Sequence, residues 1–111
     1  MGHTRNMRLP IDYSLQWFID DGLISAIAFA GKKNVSRGKA TFYSNNGYGV
    51  IVEIPVQITS VRFCAAIDLS EDDLWATGAP GLEAFVSNLR AEGHDVTEYS
   101  PVTVVYFKRG E

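Results

Sequence analysis

The sequence predicts an α+β fold: one domain with a mostly antiparallel sheet of about five strands and two or three helices packed on one face. Three observations support this class. The chain has 111 residues, which is enough for one hydrophobic core. Its composition, 46% hydrophobic and 21% charged, is that of a globular protein. Period-two apolar patterns between residues 39 and 67 are followed by helical patterns up to residue 92.

The least certain stretch runs from Ile11 to Ala30. Apolar residues follow helical spacing there, but Asp20-Asp21-Gly22 is a turn signal. We favour a short helix from about Asp12 to Asp21, closed by Gly22, and then a strand from Leu23 to Phe29. A hairpin that turns at Asp21-Gly22, or one long helix, remains the alternative.

Three strands are predicted in the middle of the chain. Lys39 to Ser44 alternates as a half-buried strand does, and Asn45-Asn46-Gly47 supplies residues that suit a tight hairpin. The second strand follows from Val50 to Ile54. Pro55 then marks an edge, a bulge or the end of that strand, because proline donates no backbone hydrogen bond. Val61 to Ile67 is the most regular of the three.

The last third predicts two helices and a strand. Ser70 can cap a helix that opens with three acids, and a second helix runs from about Pro80 to Glu92 with Gly93 past its end. Val102 to Phe107 is apolar on both faces. We therefore expect it to lie centrally in the sheet or to pair with the sheet of a second chain.

The net charge and the N-terminal residues argue against some partners and locations for this protein. The net charge is −3, with six Lys and Arg against three Asp in residues 1–39 and four against ten acids in residues 40–111. This balance argues against nucleic acid and anionic membranes as partners. Residues 1–9 are interpreted as a polar tail without a signal peptide or membrane span, so we expect a cytoplasmic protein.

The densest acidic cluster is the strongest candidate for a binding site. Glu71, Asp72 and Asp73 precede Trp75, and an aromatic anchor ringed by polar groups is typical of protein-binding hot spots. Helix capping alone also explains these acids. The sequence therefore leaves open an acidic docking surface centred on Trp75.

Other chemistry-bearing residues give weaker signals. Four basic residues lie in or beside the loop from Gly31 to Gly38 and suggest an anion site, although the order of a P-loop is absent: Lys32, Lys33, Arg37 and Lys39. The lone Cys64 is interpreted as core packing, and His94 as part of an exposed connector. We expect no catalytic residues, no metal site and no cofactor.

Two functions are compatible with this sequence. The first is a non-catalytic protein-binding module, because the chain resembles small bacterial inhibitors and immunity proteins in size and acidic charge, though in no motif. The alternative is a small-ligand-binding or enzymatic domain that acts as a homodimer through Val102–Phe107. Its pocket would lie between sheet and helix, with Tyr43, Cys64 or His94 as polar groups.

Overall fold

The structure, a computed structural model, describes residues 7–110 and confirms the predicted α+β class. Its elements are five strands, three α-helices and one short 3-10 turn, at Ala66–Asp68. In chain order the strands and α-helices are β1 (Met7–Pro10), α1 (Leu15–Asp20), β2 (Ala26–Ala30), β3 (Gly38–Asn45), β4 (Ile51–Ala65), α2 (Glu71–Ala76), α3 (Leu82–Ala91) and β5 (Pro101–Arg109). No helix in this described part is long and apolar enough to cross a membrane.

The five strands form one mixed sheet in the order β1-β3-β4-β5-β2. β1 runs parallel to β3, and the other three pairs are antiparallel. β1 and β2 are therefore the two edge strands. β5 lies between β4 and β2, which confirms the central position that its two apolar faces predict.

The central place of β5 bears on the homodimer hypothesis. Val102 to Tyr106 pair with β4 on one side and with β2 on the other, and Val102, Val104 and Val105 are fully buried. Both backbone edges of this stretch are thus used within the chain. The prediction that Val102–Phe107 pairs with the sheet of a second chain is therefore wrong, because this stretch has no free edge. Dimerisation by another surface stays a prediction.

Side chains that alternate along β2 separate two core clusters. Ile27 and Phe29 belong to a cluster that also contains Ile19 of α1. Ala26 belongs to a second cluster, which contains Leu74 of α2 and Phe85 of α3. Because successive strand residues point to opposite faces, α2 and α3 pack on one face of the sheet, as predicted, and the short α1 packs on the other.

The predicted polar tail is shorter than residues 1–9. Met7 to Pro10 form β1, with Leu9 buried against the first cluster and paired with Phe42. Only two residues of this short strand, Met7 and Leu9, pack against the cluster, which gives too little periodicity for a strand to be predicted. Residues 1–6, the rest of that tail, lie outside the described residues.

The two strands predicted around Pro55 are one continuous strand of 15 residues, β4. Pro55 pairs with Thr41 of β3, and its carbonyl accepts a hydrogen bond of 2.9 Å from the Gly110 amide. Regular pairing of β4 with β5 begins only at Val56. Proline has no N–H to donate, but at Pro55 that donor would point toward β5 just beyond its last paired residue. No hydrogen bond of the sheet is lost, and β4 continues through Pro55 without a bulge there. The register shift lies instead between Ile58 and Ser60.

Helix plus strand is the correct alternative for residues 11–30. α1 is followed by Gly22, whose φ of 70° is the left-handed conformation that closes a helix without strain in glycine. β2 then begins at Ala26 rather than at Leu23. The hairpin and the single long helix are both wrong.

Candidate functional site

A cleft lies where α1 and α3 flank the outer edge of β2, and we call it the α1–α3 cleft. Its volume is about 460 Å³. The walls are mostly apolar, with side chains from Leu15, Phe18, Ile24, Ile27, Phe85 and Leu89. Polar groups come from five further residues: Asp12, Ser14, Thr77, Asn88 and Glu92. A cleft of this size, with apolar walls and few polar groups, is typical of small-molecule sites.

The floor of the cleft is the open edge of β2. The Phe107 amide donates to the Ser25 carbonyl and the Gly31 amide donates to the Pro101 carbonyl, so the odd-numbered residues face β5. Hydrogen bonding alternates along an antiparallel pair. Ala26 and Ala28, which line the cleft, therefore turn their N–H and C=O groups away from β5; Ala26 is fully buried, whereas Ala28 is partly exposed. A ligand here meets the backbone donor and acceptor of Ala28.

One end of the α1–α3 cleft is acidic. Asp12 is fixed at the start of α1, where its Oδ1 accepts hydrogen bonds from the amide and the hydroxyl of Ser14, at 2.9 and 2.6 Å. Glu92 follows the last residue of α3, the end of a helix where the dipole is negative. Burial, and then the charge of Asp12, raise the pKa of Glu92, and His94 opposes this shift.

A second hollow, of about 680 Å³, lies on the other side of α3. It is lined by residues that include Leu82, Val86, Ser87 and Tyr99. It has no strand edge among its lining residues and is more open to solvent than the α1–α3 cleft.

The most tightly connected polar group in the described chain is Asp73, which is 6% exposed. One carboxylate oxygen accepts a short hydrogen bond from the Tyr106 hydroxyl. The other accepts from the Ser70 amide at 3.0 Å and lies 3.3 Å from the Arg62 guanidinium, while the Ser70 hydroxyl accepts from the Asp73 amide. This reciprocal pair is a capping box at the start of α2.

The pKa values in this network follow from its contacts. Burial alone would raise the pKa of Asp73, but hydrogen bonds from Tyr106 and Ser70 and the charge of Arg62 together lower it below its ordinary value. Burial, and then the hydrogen bond to Asp73 and its charge, raise the pKa of Tyr106 to about 12. Both carboxylate oxygens are engaged, so the group joins α2 to the sheet.

The network divides the predicted docking surface. Asp73 is buried and belongs to the interior, which corrects its assignment to a partner-binding surface. Glu71, Asp72 and Trp75 are exposed, Trp75 by 64%, and they stay a predicted surface. The sequence does indicate this role of Asp73, because an acid three residues after a capping serine can complete a capping box.

The predicted basic residues are all exposed, and two of them contact aromatic rings. Lys32 Nζ lies 5.7 Å from the centroid of Phe63, and Lys33 Nζ lies 5.7 Å from that of Phe29. Thr103 fixes the loop, since its hydroxyl donates to the Gly31 carbonyl and accepts from the Lys33 amide. Arg37 and Lys39 lie further along, before and within β3. An anion site here stays a prediction.

The polar residues expected in a pocket do not line the α1–α3 cleft. Tyr43 stacks with the Arg8 guanidinium at 4.8 Å on β3, Cys64 packs against the second cluster, and His94 is exposed after α3. The cleft instead uses Asp12 and Glu92, which are distant in sequence. Neither residue belongs to a local sequence motif. Their common place in the cleft is visible only once the relative positions of α1 and α3 are known.

No protein-family model and no curated protein matches this chain. Solved structures do resemble it. Protein EF3133 from Enterococcus faecalis V583, of the DUF984 family, superposes with a TM-score of 0.63 at 12% identity over 96% of this chain and 82% of that one. An ASCH domain from Lactobacillus crispatus JV V101 gives 0.61 at 15% identity over 93% and 79%. The hypothetical protein PH0355 gives 0.63 at 10% identity over 96% and 100%. At these identities the likeness shows a shared fold.

Proposed function

We propose that this protein binds a small molecule in the α1–α3 cleft. The observation that carries the proposal is the cleft itself: about 460 Å³ of space with apolar walls, built over the unpaired edge of β2. Unpaired strand edges are usually shielded by a helix, a bulge or charged side chains. Here the flanking helices leave room for a ligand to cover the edge.

The cleft combines two kinds of recognition. Phe18, which is exposed, and Leu15, which is partly exposed, offer apolar surface that favours binding when it is removed from water. The backbone groups of Ala28 offer hydrogen bonds of fixed direction, which supply orientation. Binding is the activity that these groups support.

Two adjacent positions on α3 test the proposal. Asn88 lines the α1–α3 cleft and Ser87 lines the second hollow, and both are exposed. Asn88→Trp places an indole in the cleft, whereas Ser87→Trp adds the same bulk outside it. We expect fragments that raise the melting temperature of the wild type to act equally on Ser87→Trp, and to bind Asn88→Trp about tenfold or more weakly.

The experiment is a thermal-shift screen of a fragment library against the three proteins, with dissociation constants for the hits. Equal affinity for the wild type and Asn88→Trp would contradict the proposal. A library without hits for the wild type would contradict it as well, because well-formed apolar clefts bind fragments readily.

A second candidate function is docking of a partner protein with a basic face. It is supported by Trp75, which is largely exposed beside the exposed acids Glu71 and Asp72. Stoichiometric capture of one partner should be lost in Glu71→Lys/Asp72→Lys and kept in Glu83→Lys. Asp73 is left unchanged in this test, because reversing its charge would disrupt α2. Equal capture by both variants would refute this candidate.

A further inference from the structure

No basic side chain of the described residues lines the acidic end of the α1–α3 cleft, although His94 lies close enough to act on Glu92. Asp12 and Glu92 both line it, and no Lys, Arg or His does. The ion pairs that the described chain forms use other acids: Glu53 with Arg8, Asp20 with Arg109, and Asp73 with Arg62. The cleft therefore holds two carboxylates that form no ion pair with any described residue.

Three sources of negative potential meet at this end. Asp12 lies before α1, Glu92 follows α3, and the C-terminal end of α3 adds the negative end of a ten-residue helix dipole. The pKa of Glu92 is raised, first by burial and then by the charge of Asp12, so the neighbouring carboxylate disfavours its ionised form. A bound positive charge would relieve this repulsion.

We infer that the ligand of the α1–α3 cleft is a small organic cation. Its ammonium group binds between the carboxylates of Asp12 and Glu92, and its apolar body lies against Leu15 and the exposed ring of Phe18. This inference rests on the proposed function and specifies the class of ligand. The exposed ring of Phe18 adds to the attraction, since aromatic rings bind organic cations better than neutral groups of the same shape.

The composition of the site favours an organic cation over a metal ion. Only two carboxylates line the cleft, and Oδ1 of Asp12 is already engaged by Ser14. The described residues include no group of three or more His, Cys, Asp or Glu placed to hold a metal. A bare metal ion would make no favourable contact with the apolar part of the wall, whereas a hydrocarbon or aromatic group would.

Three probes of nearly equal shape test the inference: 2-phenylethylammonium, 2-phenylethanol and 3-phenylpropanoate. Dissociation constants are measured by titration at low ionic strength, with the wild type and three variants. Glu92→Gln and Asp12→Asn each remove one charge and keep the side-chain shape, and Asn retains the oxygen that accepts from Ser14. Glu83→Gln, on the same helix but lining the second hollow, is the matched control.

We expect the cation to bind about tenfold more tightly than the alcohol, and the anion to bind more weakly than either. Glu92→Gln and Asp12→Asn should each weaken the cation by about threefold to tenfold and leave the alcohol unchanged. Glu83→Gln should change neither affinity. Added salt should reduce the preference for the cation.

The failures of the two proposals are distinguishable. If the alcohol or the anion binds the wild type as tightly as the cation does, and binds Asn88→Trp more weakly, the charge inference is overturned and the cleft remains a ligand site. If the cation binds but Glu92→Gln and Glu83→Gln behave alike, the charge inference is again overturned. If all three probes bind Asn88→Trp as they bind the wild type, the proposed function fails together with the inference.

Discussion

Asp73→Ala is expected to lower the free energy of unfolding by about 3 kcal/mol, although Asp73 contributes no apolar contact. The substitution removes the half of the capping box in which the Ser70 amide donates to the carboxylate, worth about 1 kcal/mol, and the hydrogen bond from Tyr106 to the carboxylate, worth about 2 kcal/mol. The ion pair with half-exposed Arg62 adds less than about 1 kcal/mol. Chemical denaturation of Asp73→Ala measures the loss, and Asp72→Ala, exposed at the preceding position, should change stability by less than about 0.5 kcal/mol.

The contribution of Asp73 depends on pH in a defined direction. Its pKa in the folded protein is below the ordinary value of 3.8, so its stabilisation is complete above that value and is lost as pH falls through the folded pKa. Tyr106 has a pKa raised from 10.0 to about 12, so its stabilisation is present below pH 10.0 and is lost as pH rises through about 12. The stability gap between the wild type and Asp73→Ala should therefore be widest between these limits. A gap that stays constant down to pH 2 would contradict the assigned contacts.

Phe42→Ala is expected to have the largest effect on stability, about 4 kcal/mol. Phe42 is fully buried in the first cluster, and its ring meets that of Phe107 edge-on, with centroids 4.9 Å apart. Truncation leaves a cavity between β3 and β5 and removes the aromatic pair. Tyr48→Ala, at a residue that is 91% exposed, is the control and should cost less than about 0.5 kcal/mol. Similar denaturation midpoints for the two variants would show that this cluster does not support the fold.

Local signals in the sequence account for the elements that were predicted well. Ser70 begins α2 because its hydroxyl caps the helix, and Gly22 closes α1 because glycine accepts a positive φ. Val102 to Phe107 indicates a central strand because residues of both faces are apolar. In each case the cause lies within a few residues of the effect.

Features that depend on distant contacts were not predictable in the same way. β1 exists because Leu9 packs against residues far along the chain, and β4 is continuous through Pro55 because β5 ends beside it. The α1–α3 cleft requires Asp12 and Glu92 to approach each other although 79 residues separate them. Spacing within one segment carries no information on such approaches, which are set by strand order and helix packing.

Location of a bound fragment by NMR, in protein labelled at its methyl groups, tests the central claim most directly. The account predicts intermolecular nuclear Overhauser effects from the fragment to the methyl groups of Leu15, Ile27 and Leu89, which line the α1–α3 cleft. Effects confined to Leu82 and Val86, which line the second hollow, would contradict it.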